Sequence, residues 1–213
     1  PVLKELREGA PVTHIPDMNL YLVTRYEDIV RVFQDRETFA SLNSTSPFFP
    51  VCPEARKVLD SGFPRKPTFT NCDPPRHTQM RKAISQCLTP RRWAKSQPAV
   101  REYATGLVER LAKKPVADLV ADLAYSLTAF AGFALLGFPS DDTDMLKEWC
   151  ETRVLLTYGN LEPEKQVKAA HELTSFWNYV RDFVHRRMHE KADDLTSDLL
   201  ELSAKSGDAL TTE

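Results

Sequence analysis

The stretch NCDPPRHTQMRKAISQCLTP, residues 71–90, places a histidine and an arginine four residues apart, His77 and Arg81. Asp73 can cap a helix there, and Pro74 can take its first position, where a missing N–H does no harm. On a wheel of about 100° per residue with His77 at zero, Met80, Ile84, Cys87 and Leu88 fall in an arc around it and Arg81 lies at about 40°. Lys82, Gln79 and Gln86 take the wet side. Both cations are therefore expected on, or at the edge of, a buried face. They repel each other there, and burying them unpaired costs far more. An anion should meet them. It could be a carboxylate from a neighbouring helix, or a bound anionic ligand such as a phosphate or the carboxylates of a cofactor. The arginine fork suits a carboxylate, and histidine adds a shorter contact.

The elements that must position this pair are mostly helical. YLVTRYEDIVRVF joins a short strand, Leu20 to Val23, to an amphipathic helix in which Thr24 and Glu27 form a capping box and Tyr26, Ile29, Val30 and Phe33 a buried stripe. A Pro- and Ser-rich stretch from Ser41 to Thr70 has room for one short helix, around Glu54 to Asp60. Loops of that length in a compact domain are usually functional or disordered, and Phe48, Phe49, Phe63 and Phe69 argue against plain disorder. A further helix carries Tyr103, Leu107 and Leu111 one turn apart, with Val100, Ala104 and Val108 beside them. Leu119 to Phe138 is nearly all apolar and reaches membrane-span length, but Asp122, Ser126, Thr128 and the lack of flanking basic anchors favour a core helix wrapped by others. DDTDMLKEWCETRVLL is another helix. After the GNLEP break comes a long one from Glu164 to about His189, striped by Leu173, Phe176, Trp177, Val180, Phe183 and Val184. A last short helix, LTSDLLELSAK, has Thr196 or Ser197 as its cap.

Composition narrows the class. The chain has 213 residues, 42% of them apolar and 27% charged, with a formal net charge of −2. That is an ordinary soluble globular composition, without the basic excess that nucleic acid or an anionic membrane would call for. The four cysteines, Cys52, Cys72, Cys87 and Cys150, form no CxxC or metal-like spacing, so a reducing, cytoplasmic setting is expected. Cys87 and Cys150 are expected to be inert core residues. His171, His185 and His189 lack carboxylates at metal spacing, RRMHEK reads as a solvated face, and Trp93, Trp149 and Trp177 read as core. No signal peptide is visible. The sequence starts at Pro1 without methionine and stops at GDALTTE, where Thr211 or Thr212 would cap a helix that does not follow. The expectation is one piece of a longer protein.

DPPRHTQMRKAISQCLTP resembles the DPPxHTxxRxxxxxxFTP signature of bacterial cytochrome P-450 mono-oxygenases, and YLVTRYEDIVRVFQDRETFAS resembles the strand and B helix that precede it. Element order is similar throughout all 213 residues. The resemblance implies a mainly α P-450 fold, here its N-terminal portion: helices A to H with a small β-sheet, in one incomplete catalytic domain. It implies that His77 and Arg81 hydrogen-bond the propionates of haem b. The I helix, the ExxR pair and the axial cysteine would lie beyond residue 213, so no catalytic or metal-ligating residue is expected in this segment; none of the four cysteines sits in an FxxGxxxCxG setting. Leu88, after Cys87, departs from the family's phenylalanine. The loop from Ser41 to Thr70 resembles the B–C recognition region, and Val154 to Phe176 the mobile F–G lid, with its turn at Tyr158 to Pro163. Phe48, Phe49, Phe69, Thr70, Leu155, Leu156 and Tyr158 are candidate substrate-binding residues. The implied reaction inserts one oxygen atom of O2 into an apolar small molecule, with electrons from a ferredoxin, a flavodoxin or a fused reductase domain. TYGNLEPEKQV and FWNYV resemble enzymes of the fused kind. Lys82, Arg91 and Arg92 would form a basic patch for the donor. Two other readings remain: a non-catalytic helical binding protein with an anion at His77 and Arg81, and a scaffold in which the pair meets a carboxylate.

Overall fold

The computed structural model describes residues 2–64 and 66–206. Nine α-helices are described, with one antiparallel hairpin. The chain groups into two compact units. The first holds the residues up to Thr78 together with Thr152–His171, and the second holds Gln79–Glu151 and the residues from Glu172 on.

In the first unit, α1 (Val2–Gly9) leads into β1 (Val12–Ile15) and β2 (Leu20–Val23), which pair from Val12↔Val23 to Ile15↔Leu20. Asn19 closes the turn at φ 48°, a left-handed position that asparagine tolerates. α2 (Tyr26–Gln34) follows, but not through the expected capping box. Its cap is Arg25, without a side-chain bond, because the Thr24 hydroxyl donates to the Pro11 carbonyl at 3.1 Å and so ties off the hairpin. The expected stripe is also incomplete. Ile29 and Val30 are half-buried, whereas Tyr26 and Phe33 are 76% and 79% exposed. Helical periodicity places them on one ridge, but no described residue covers that part of it.

The long loop is ordered. It contains α3 (Pro53–Gly62), whose Ala55 is fully buried. The Ser44 hydroxyl donates to the Thr70 carbonyl at 2.6 Å, and Asn71 Nδ2 to Thr45 Oγ1 at 3.1 Å. The Asp73 carboxylate accepts the Ser41 N–H at 3.0 and 3.1 Å, its carbonyl accepts the His77 N–H at 3.0 Å, and α4 (Arg76–Cys87) follows.

In the second unit, α5 (Pro90–Leu111) is capped by Thr89, which accepts the Arg92 N–H at 3.2 Å. It stacks on α6 (Tyr125–Leu136) through Tyr103 and Phe130, ring centroids 4.1 Å apart and 6° from parallel. The apolar run from Leu119 is split: a π-helical turn, Val120–Ala124, precedes α6. Within the run only Phe130 and Leu135 are buried, while Leu119 and Val120 are exposed. The expected wrapping is thus partial, and among the described residues no helix is long and apolar enough to cross a membrane. α7 (Thr143–Tyr158) and α8 (Pro163–His189) begin in one unit and end in the other. In the second unit Phe138 packs on Phe183 at 4.3 Å, and Trp149 on Phe176 at 5.8 Å. Trp93, expected in the core, is 47% exposed. Its place on α5 is one residue past buried Arg92, so it turns off the packed face.

α9 (Leu195–Ser206) is capped by Asp194, not by Thr196 or Ser197. The Asp194 carboxylate accepts the Ser197 N–H at 2.8 Å and an N–H of Arg187 at 2.6 Å. Arg187 also donates to the Gly137 carbonyl at 3.1 Å, and the Thr196 hydroxyl to the Leu136 carbonyl at 2.7 Å. The expected helix cap at Thr211 or Thr212 lies outside the described residues.

Gly137 ends α6 at φ 87°, and a Cβ there would overlap the Asp194 carboxylate. Gly137→Ala therefore combines left-handed strain with a clash, and we expect it to cost about 2 kcal/mol or more. Asp194→Ala removes a cap and an ion-pair partner and should cost at least as much. Because the second change removes the carboxylate part of that clash and leaves only the Cβ contact, the double variant should lose less than the sum, without recovering the whole cost. Thermal unfolding of the three variants checks this; strict additivity would show that the two residues do not press on each other.

Candidate functional site

α4 carries the residues with which the chemistry began. Its fully buried residue is Ala83, with Met80, Ile84, Cys87 and Leu88 half-buried. With His77 at zero on the wheel, this arc runs from about −120° at Ala83 to about +20° at Leu88, so His77 lies within it and Arg81 at about +40° lies just outside. Arg81 is exposed and His77 half-buried. The expectation that both are at the buried edge thus holds for His77 only. The His77 N–H donates to the Asp73 carbonyl at 3.0 Å, and its ring lies nearly flat on Phe69, centroids 4.9 Å apart and 20° from parallel. Among the described residues no carboxylate pairs with either cation. Lys82 and Arg91 are exposed as well.

Arg92 does not belong to that exposed set. It is buried, with Nη1 donating to Asp193 Oδ1 at 2.9 Å and to the Asp193 carbonyl at 2.8 Å. Its Nε donates to Asp198 at 2.9 Å, and Nη2 reaches the same oxygen. Lys95 adds a contact to Asp193 at 2.7 Å. The hydrogen bonds from Lys95 and Arg92 hold the Asp193 carboxyl below its ordinary range. A basic patch built from Lys82, Arg91 and Arg92 therefore loses its third member, because two aspartates neutralise it.

The candidate pocket residues fall into three groups. Phe48 and Tyr158 meet edge-on, centroids 5.0 Å apart and 84° between planes, and the Phe48 N–H donates to the Thr157 carbonyl at 2.8 Å. Phe69 is committed to His77. Leu155 and Tyr158 are about half exposed, and Phe49 is half-buried. Thr70 is exposed, and Leu156 is buried in its own unit. Of these seven residues the structure brings Phe48 and Tyr158 together, while Phe69 meets His77 instead.

Sequence reasoning missed two features. Gln166, on the first turn of α8, is only 8% exposed; it lay at the start of a helix read from its apolar stripe, which gives no signal for a buried amide. The other is an apolar hollow of about 360 Å³ along α6, lined by Tyr125, Ala129, Phe133, Leu136 and Cys150. Burial and a hydrogen bond with Glu151 push the Tyr125 hydroxyl up to about 12. None of the four cysteines is in a disulfide, and Cys72 is buried. Burial raises the Cys87 thiol, helped by Asp198. Among the described residues no group of His, Cys, Asp and Glu could hold a metal ion.

No protein-family model matches the chain. It is 29% identical over 215 residues to a vitamin D(3) 25-hydroxylase of Pseudonocardia autotrophica, covering all of this chain and 50% of that protein. It superposes with a TM-score of 0.90 and 31% identity on the structure of cytochrome P450 CREJ in complex with (4-ethylphenyl) dihydrogen phosphate, covering 100% of this chain and 53% of that one. The chain has the N-terminal half of the cytochrome P450 fold. It spans about half the length of the curated relatives it matches. An intact type IV self-sufficient cytochrome P450 monooxygenase is also similar, at TM-score 0.86 and 26% identity over 98% of this chain and 28% of that one. In P450 terms the expected order of elements is found, from hairpin and B helix through the α4 motif to the α8 helix.

The Arg92 arrangement gives a test. Arg92→Ala removes charge-assisted hydrogen bonds worth roughly 1.5–3 kcal/mol, so it should lower the unfolding temperature. Arg91→Ala serves as the exposed control, with stability within about 0.5 kcal/mol of the parent. The network's contribution should be complete above about pH 4 and fade as pH falls through the lowered Asp193 value. Unfolding temperatures measured from pH 7 down to pH 3 check the sign.

Proposed function

We propose that the protein is a haem-dependent mono-oxygenase that inserts one oxygen atom of O2 into an apolar small molecule, and that this chain supplies the propionate clamp and part of the pocket. The observation that carries the reading is the pair of cations on α4, His77 and Arg81, for which no described residue supplies a carboxylate. Their donor set suits a carboxylate pair brought by a ligand, and propionates are such a pair. The residues present therefore fit haem. Haem bound through a cysteine thiolate favours O–O cleavage and so supplies the oxygen chemistry. No cysteine of this chain is assigned as that ligand: Cys72 is buried, and the others are half-buried. The axial cysteine belongs to residues after 213.

Each side chain then has a task. Arg81 donates its fork to one carboxylate. His77 donates to the other, its ring plane held by Phe69. Phe48, Phe49, Leu155 and Tyr158 present apolar surface to a substrate, while Thr70 and Leu156 stay at the rim and in the core behind it. The turn from Tyr158 to Pro163 opens when substrate enters. Electrons come from a ferredoxin, a flavodoxin or a fused reductase; the relative described as self-sufficient makes the fused arrangement a concrete option.

The experiment is the carbon monoxide difference spectrum of the reduced full-length protein. The thiolate-ligated band is expected, and its absence in a folded preparation sinks the reading in favour of a binding protein without haem. Arg81→Ala should weaken haem retention by the roughly 1.5–3 kcal/mol of a charge-assisted contact, about 10- to 150-fold. Haem transfer to an acceptor apoprotein measures it, and unchanged retention in Arg81→Ala removes the clamp from the proposal.

A further inference from the structure

The first unit contains a buried amide that the oxygenase reading does not use. Gln166 is 8% exposed and sits on the first turn of α8. Its Oε1 accepts the Cys52 N–H at 2.7 Å. Its Nε2 donates to the Leu161 carbonyl at 2.8 Å and the Pro50 carbonyl at 3.4 Å. One side chain thus holds both the loop before α3 and the turn before α8.

The Cys52 contact has a local cause. Cys52 is the N-cap of α3 and makes no side-chain capping bond. In a capping box, the third helical residue would reach back to that N–H with a Glu or Gln side chain. Here the third residue is Ala55, fully buried and without a polar group. Gln166 supplies the missing acceptor from another helix. It is the capping-box glutamine delivered from 114 residues away. The Cys52 thiol adds a 3.8 Å contact to the Pro163 carbonyl, and the Phe48 N–H holds the Thr157 carbonyl at 2.8 Å. The five residues from Phe48 to Cys52 therefore bridge the end of α7 and the start of α8.

We infer that Gln166 is a positioning residue that locks the Phe48–Cys52 loop and the Thr157–Gln166 turn into one body, so that the two open together and Phe48 and Tyr158 keep their places relative to each other. A buried amide released from three partners strands one acceptor, one N–H and two carbonyls at once. Loop and turn therefore share the cost of opening, and neither opens without the other. That this body gates ligand entry rests on the oxygenase reading; that it moves as one does not.

The test is hydrogen exchange on the full-length protein. In Gln166→Ala, peptides covering residues 48–56 and residues 157–166 should both exchange faster by about tenfold or more, and by the same factor. Peptides from Leu173 to Val184 and from Tyr125 to Leu136 should be unchanged. Gln166→Met fills much the same space without hydrogen bonds. It should behave like Gln166→Ala if the amide is the lock; wild-type exchange in Gln166→Met would show mere packing and overturn the inference. Acceleration of only one of the two segments overturns it too. If the variants do not fold, the unaltered protein decides: in low denaturant the Cys52 and Gly159 amides should share one opening, and separate openings refute the lock. The gate is tested apart, with 4-phenylimidazole as the probe in the haem-loaded protein. Its association rate should rise about tenfold in Gln166→Ala in step with exchange, and an unchanged rate refutes gating. A failed carbon monoxide spectrum would remove the oxygenase reading without touching the exchange result.

Discussion

A charge taken out of water must meet another, and in the second unit that requirement converges on Asp194. Its carboxylate is nearly buried, and it serves the Arg187 guanidinium and the first free N–H groups of α9 together. Arg187 in turn holds the carbonyl of Gly137. Three helix ends, those of α6, α8 and α9, are thereby fixed around one side chain. The left-handed glycine is required twice over: for the backbone angle, and because the space a Cβ would need is already filled by the carboxylate. Arg92 between Asp193 and Asp198 obeys the same rule, and so does Tyr179, which donates to Asp142. Burial and that bond push the Tyr179 hydroxyl up to about 12.

His77 and Arg81 on α4 stand apart. Arg92 and Arg187 find aspartates within the chain, but among the described residues no carboxylate pairs with His77 or Arg81, although the composition offers 30 acidic residues. Pairing is thus available in this fold, and among the described residues these two cations do not use it. On the proposed reading, a group that arrives with its own carboxylates would account for both the residue types and their spacing of one turn.

How much of this was legible follows from what each signal measures. Helical period and capping chemistry report on contacts within a few residues, so α3, α5, α7, α8 and α9 were foreseen close to their observed bounds, and the α4 motif located the cations. Period says which residues share a ridge, but not whether anything covers it: Tyr26, Phe33 and Trp93 were expected inside and are exposed. A hydroxyl or carboxylate near a helix start can cap it, but it can also be taken by a distant backbone. Thr24 went to Pro11. Arg92 looked like surface because its aspartates lie about a hundred residues on. Gln166 gave no signal, since its partner was an N-cap that lacked a capping side chain of its own.

That last case bears on how an apolar surface keeps its shape while its side chains vary. Apolar contacts are not directional, so a frame built from them would shift whenever a wall residue changed size. Here the segment from Phe48 to Cys52 is placed by backbone and amide hydrogen bonds to Thr157 and Gln166, which do not depend on what the rings touch. The side chains of Phe48 and Tyr158 hang from that frame and meet edge-on without holding it. Substitutions at 48, 155 or 158 can therefore change the apolar surface of this segment while the backbone stays put. A substitution at 166 leaves that surface chemistry untouched and acts on the backbone that presents it. The polar frame and the apolar side chains are in this way separable, so the residue with the largest effect on how Phe48 and Tyr158 are placed need not touch either ring.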